Sequence, residues 1–150
     1  MNAREATAAD VPALHLIEQR SMGVDAWTLT QLAEELTRPG AIFLVSDGPK
    51  PVGLAIGFVV FDELQVMQIA VDPDARRQGH ARILLAALEA AARAADVSYL
   101  EVRVDNDPAI QLYVSAGYRI VGRRPRYYAD GVDALLMRKG LRPESQLAEN

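Results

Sequence analysis

The chain has 150 residues, half of them hydrophobic and 24% charged, with a net charge of −4. This composition predicts a single folded domain with a real core, and the negative balance argues against the broad basic surface that duplex nucleic acid requires. The chain has no cysteine, which excludes disulfides, thiolate zinc sites and a cysteine nucleophile and fits a reducing, cytoplasmic compartment.

In chain order, residues 2–7 read as a short first strand. Thr7 then opens a helix with Asp10 three residues on, in a capping-box pattern. Val11, Leu14, His15 and Ile17 form its helical stripe. Thr28 and Gln31 repeat the start signal for a second helix, with Leu29, Leu32, Ala33 and Leu36 at helical spacing. Pro39-Gly40 ends it. "AIFLVS", "PVGLAIGFVVF" and "LQVMQIAV" read as three strands of an antiparallel meander. Asp72-Pro73 stops the last of these, and a helix runs from the Gly79 turn to about Ala95. "SYLEVRV" is a buried strand. Asp107 caps the next helix with Pro108 at its first position, and Gly117 ends it. Residues 118–128 and 133–139 form a closing hairpin, and the polar residues 140–150 read as a frayed tail after a domain spanning 1–139. The order β-α-α-β-β-β-α-β-α-β-β predicts a mixed α+β sheet with helices on its faces. No apolar run reaches the ~18–20 residues of a membrane span, so no membrane partner is expected. The N-terminus has the pattern of no signal peptide. His15 and His80 lie far apart, and no metal site is expected.

The stretch "VDPDARRQGHARILLAALEAA" places a glycine turn directly before a helix. The first N–H groups of a helix lack internal partners and make a positive end that suits an anion. Gly79 allows close backbone approach, Ala81 is nearly as small, and Arg76, Arg77 and Arg82 add positive charge. On spacing alone, a helix start rich in surface arginines explains the same residues.

With the preceding "MQIAVDP", this turn resembles the GNAT superfamily of acetyl-CoA-dependent N-acetyltransferases, whose signature is a Q/R-x-x-G-x-G/A loop. The resemblance implies a GNAT fold, acetyl-CoA as cosubstrate and no metal. It implies that Arg77, Gln78, Gly79, His80, Ala81 and Arg82 hold the pyrophosphate, and that Ile69, Ala70 and Val71 line the pantetheine arm. "LEVRVDNDPAIQLYVSAGY" adds Glu101, Asn106, Ala109, Ile110, Leu112, Tyr113 and Gly117, with Tyr118 where phenylalanine is common. Together with "IEQR", Trp27, "RYY" and "DGVDALLM", it looks most like the RimI type within the superfamily, which acetylates the N-terminal alanine of a ribosomal protein. The resemblance runs to about Lys139 and departs at Ala26, where proline is frequent. It implies a protein or peptide N-terminus as acceptor, Glu101 as base, Tyr113 as acid, Asn106 near the cosubstrate, and Arg20, Trp27, Tyr127 and Tyr128 along the acceptor.

The residues alone leave other roles open. Glu101 alternates with Leu100, Val102 and Val104 and can be a solvent-facing residue paired with Arg103 or Arg119. Tyr113 lies on the Ala109-Leu112-Tyr113-Ala116 stripe and reads as core. Asn106 suits a turn, Tyr127 and Tyr128 suit hairpin packing, and Arg123, Arg124 and Arg126 suit a solvated strand face. The alternatives in function are a GNAT enzyme acting on other N-termini, lysine or a small amine, and a coenzyme A-binding module without catalysis.

Overall fold

Strict alternation along the central strands forces two apolar faces onto one sheet. The computed structural model describes residues 2–143. Its strands are β1 Ala3–Glu5, β2 Ala41–Ser46, β3 Gly53–Val60, β4 Glu63–Val71, β5 Val97–Arg103, β6 Arg119–Arg124 and β7 Ala134–Gly140. Its helices are α1 Val11–Met22, α2 Leu29–Glu35, α3 His80–Ala91 and α4 Asp107–Ser115. The strands form one sheet in the order β1-β2-β3-β4-β5-β7-β6. Only β4 and β5 pair in parallel; every other neighbouring pair is antiparallel. The mixed, mostly antiparallel architecture expected from the sequence is the one observed.

Phe43, Val45, Leu54 and Ile56 face Val11, Leu14, Ile17 and Leu32 on one side of the sheet. Leu44 and Ala55 face Leu84, Leu85 and Leu88 of α3 on the other. Among the described residues, no helix is long and apolar enough to cross a membrane.

One irregularity decides where the site lies. In the β3–β4 ladder Ile56 pairs with Gln68, but Gly57 pairs with Val66. Met67 is the extra residue, a β-bulge on β4. A one-residue slip turns every later side chain to the opposite face. Leu64 and Val66 accordingly belong to the α3 core, whereas Ala70 belongs to the α1 core. The β4–β5 pairing also ends at the bulge, since its last partners are Val66 and Leu100. Beyond them the two strands part, and the sheet opens.

Helix and strand ends follow the local signals, with these differences. Arg4 donates to both carboxylate oxygens of Asp10, at 2.9 and 2.8 Å, and the Thr7 backbone amide donates to the same group at 2.8 Å. The expected cap at Asp107 is instead made by Asn106, whose Oδ1 accepts from the Ala109 amide at 3.2 Å. Asp107 falls in the first turn, where a carboxylate suits the helix dipole. Helix α3 stops at Ala91 rather than Ala95, because Ala92 and Ala95 turn inward and are buried in the core. The closing hairpin is shorter than predicted on its first arm. Pro125 has no N–H to give a ladder, and Arg126 takes a left-handed φ of 48°, so Tyr127 and Tyr128 leave the strand. Strand β7 runs on to Gly140, and Leu141 donates its amide to Asp96. Most of the expected tail, residues 144–150, lies outside the described residues.

The Asp10 contacts carry a pH prediction. Its hydrogen bonds from Arg4 lower its pKa from 3.8 to about 2. A depressed carboxylate contributes stability that is complete above its unfolded pKa and is lost as pH falls through the folded value. Asp10→Asn should therefore cost on the order of 1 kcal/mol at pH 7. Urea melts should show the gap to wild type closing between pH ~4 and ~2, the window set by those two values.

Candidate active site

The opening between β4 and β5 becomes two joined chambers. The larger holds about 650 Å³ and lies between Ile69–Val71, the turn at residues 75–82 and the start of α4. The smaller holds about 330 Å³ between the α1–α2 connection, β4, β5 and the loop after β6. Met22, Ile69, Asn106, Ala109 and Tyr113 line both.

The larger chamber has the features of an anion cradle. Gly79 caps α3 with a left-handed φ of 84°, and a Cβ built there meets nothing within 4 Å. The opening residues of α3 line that space, and their amides have no partners in their own helix. Arg77 holds a left-handed φ of 64°, a conformation rare for a side-chain-bearing residue and typical of functional loops. Arg76, Arg77, His80, Ala81 and Arg82 line the chamber. Gln78 is exposed and does not line it. Arg82 also bonds the hydroxyl of Ser115, tying α3 to α4. Ile69, Ala70 and Val71 form the β4 wall, where the strand no longer pairs with β5.

Tyr113 sits where the chambers meet. It is buried, and burial pushes its hydroxyl pKa from 10 to about 12. No described residue hydrogen-bonds that hydroxyl. Its ring meets Tyr118 edge-on, with centroids 6.0 Å apart. Tyr118 fills the place where phenylalanine is frequent, and its hydroxyl is satisfied by Ser98 at 2.7 Å and Glu89 at 2.8 Å.

Glu101 lies on the wall of the smaller chamber, 3.2 Å from Nε of Arg124 across the sheet. The pairing partner is thus Arg124, neither Arg103 nor Arg119. Arg103 instead joins three segments, bonding Asp25, Asp105 and Asp130 at 2.9, 3.0 and 2.7 Å. Trp27, Tyr127 and Tyr128 line the same chamber, and the two tyrosine rings stand edge-on at 5.1 Å. Asn106 lines both chambers, but its side-chain oxygen is engaged as the α4 cap. Arg20 lines neither chamber. It bonds Asp72 at 2.9 Å and Asp74 at 3.0 Å, fixing the chain that leads into the Gly79 turn.

Sequence reasoning missed Met22, Asp25, Met67 and Gln68 as chamber residues. It also missed Glu18, which is fully buried. A signal existed: Glu18 follows Val11 and Leu14 at helical spacing on the apolar face of α1, where His15 was placed.

A mixed sheet split after a β4 bulge, with a glycine-started helix at the split, defines a class of coenzyme-dependent acyl transferases. The sequence pattern of the acetyltransferase (GNAT) family matches residues 9–118, and the chain belongs to that family. It is an acetyl-CoA-dependent N-acetyltransferase of RimI-like type. It is 38% identical over 133 residues to the [ribosomal protein bS18]-alanine N-acetyltransferase of Escherichia coli, covering 85% of this chain and 89% of that one. It is 37% identical to the N-alpha-acetyltransferase RimI of Mycobacterium tuberculosis, covering 81% and 80%. A 78-residue stretch, 51% of this chain, is 51% identical to an uncharacterized Mycobacterium leprae protein and spans 21% of it. The crystal structure of the Escherichia coli ribosomal-protein-S18-alanine N-acetyltransferase superposes with a TM-score of 0.83 at 34% identity, covering 93% of each chain.

Proposed function

We propose that this enzyme acetylates the N-terminal α-amine of a cytoplasmic protein, with the N-terminal alanine of a small-subunit ribosomal protein as its acceptor. The observation that carries the reading is the meeting of the two chambers at Tyr113, with Glu101 on the wall of the smaller one. The similarity to the Escherichia coli and Mycobacterium tuberculosis enzymes supports the choice of acceptor.

The larger chamber holds the cosubstrate. The amides from Gly79 to Arg82 and the guanidinium groups of Arg76 and Arg77 bind its diphosphate. Ile69, Ala70 and Val71 line its arm, and β4 amides freed from β5 polarise the acyl oxygen. Acetyl-CoA supplies the acetyl group as an activated thioester. The acceptor enters the smaller chamber past Trp27, Tyr127 and Tyr128. Glu101 takes the proton that the amine must lose, directly or through water. Tyr113 gives its proton where the thiolate departs. Its pKa of about 12 lies far above neutral pH, so it holds its proton until that moment. No acyl-cysteine forms in a chain without cysteine, and transfer is direct.

Acceptor chemistry favours an N-terminus. At pH ~7.4 roughly a quarter of α-amines are neutral, against about one lysine in a thousand. Incubation with acetyl-CoA and a peptide panel, read by intact mass, tests the reading. Alanine-initiated ribosomal peptides should gain one acetyl group. Acetylation of internal lysines or small amines, with N-termini untouched, would overturn it.

The cradle has its own test. Gly79→Ala puts a Cβ on a left-handed residue, a strain of about 1–2 kcal/mol. The free loop relieves this strain by moving and must restore it on binding. The KM for acetyl-CoA should rise by roughly 5–30-fold, with the acceptor KM unchanged.

A further inference from the structure

Glu18 is a buried carboxyl that the mechanism does not use. It has no exposed surface, and it occupies the apolar face of α1 beside Leu14. Its Oε1 accepts from the Trp27 backbone amide at 2.7 Å and from Nε2 of Gln68 at 2.8 Å. Its Oε2 is buried without a hydrogen-bond partner among the described residues. Burial raises its pKa. A leucine would continue the stripe without the desolvation cost of a carboxyl, so core packing does not account for this residue.

The two donors come from two different segments that line one chamber. Trp27 leads into α2, and Gln68 follows the bulge residue on β4; both line the smaller chamber, and Glu18 does not. From Gln68 onward β4 has lost its pairing with β5. One edge of the strand therefore needs another anchor. Trp27 itself lies between the turn at Gly23–Asp25 and α2, outside any helix.

We infer that Glu18 is a positioning residue that clamps Trp27 to Gln68 and so sets the width of the acceptor chamber. The inference rests on the assignment of that chamber to the acceptor. The carboxyl never touches substrate. It acts by fixing the aromatic wall against the strand that presents the donor.

Trp27 is the sole tryptophan, so its fluorescence reports the clamp directly. Glu18→Leu keeps the volume and removes the acceptor oxygen. Its Trp27 should become at least about twofold more quenchable by acrylamide, and its acceptor KM should rise by roughly fivefold or more. The KM for acetyl-CoA should stay within about twofold. Glu18→Gln retains an oxygen at the same reach and should rescue both readouts. A purely structural role predicts a lower melting temperature with neither readout changed. Unchanged quenching in Glu18→Leu overturns the inference, and so does Glu18→Gln behaving like Glu18→Leu. Should Glu18→Leu fail to fold, Gln68→Met removes one donor and should shift the quenching in the same direction; no shift overturns the clamp. A wild type that acetylates no peptide sinks the acceptor assignment alone, because the quenching still decides the clamp.

Discussion

Glu101→Gln is expected to slow acetyl transfer at least ~10²-fold in kcat, the usual scale for loss of a positioned base. The substitution keeps the shape of the side chain and removes its capacity to accept a proton from an ammonium. Its structural cost should be small. The ion pair it breaks is with Arg124, which is half exposed, and such pairs contribute about 0–1 kcal/mol. Coenzyme binding should survive, since Gly79 and its neighbours lie in the other chamber. Steady-state kinetics with varied acetyl-CoA, combined with a melting curve, separates these effects. A rate within threefold of wild type would mean that bulk water removes the proton and that Glu101 only shapes the wall.

Tyr113→Phe should lower the rate by a similar ~10²-fold at pH 7, and by the same factor at mildly alkaline pH. A general acid works only while protonated. Because burial holds the Tyr113 hydroxyl at about 12, the wild type should lose no rate from its ionisation below pH ~11. The variant must release the thiolate without a donor. Unaided departure takes up no proton, and Tyr113 stays protonated across the range, so the ratio of wild-type to variant rates should hold between pH ~7 and ~9.5. A variant rate within threefold of wild type would assign Tyr113 a packing role. The fold should tolerate the change, because no described residue bonds the hydroxyl and the ring keeps its edge contact with Tyr118.

These two side chains illustrate how chemistry is hidden in a sequence. By periodicity Tyr113 belongs to the core stripe of α4, and it is buried as periodicity demands. Its burial keeps the hydroxyl protonated at neutral pH, since the desolvation that packs the ring also raises its pKa. Glu101 alternates with apolar neighbours along β5, which says that it faces away from them. Only the parting of β4 from β5 turns that face into a chamber wall.

Much of this protein is decided within a few residues of chain. Thr28 and Gln31 form the reciprocal cap predicted from their spacing, at 2.8 and 3.1 Å. Gly79 starts α3 in a left-handed turn because a residue without a Cβ adopts it freely. The continuous apolar runs of β2 and β3 read directly as a sheet covered on both faces. What the chain could not announce depends on residues far apart. The bulge at Met67 appears only when β4 is aligned against β3. Arg20 was expected along the acceptor, yet its partners are Asp72 and Asp74, more than fifty positions away. Tyr127 and Tyr128 reach the smaller chamber because Pro125 and Arg126 turn them off the strand. Glu18 reads as one polar residue on a helix until its partners, Trp27 and Gln68, are brought beside it. Caps and turns are set by hydrogen bonds between near neighbours, so the amino-acid sequence alone determines them. Chamber walls and charge partners are set by which distant surfaces the core packs together, and only the tertiary structure decides those.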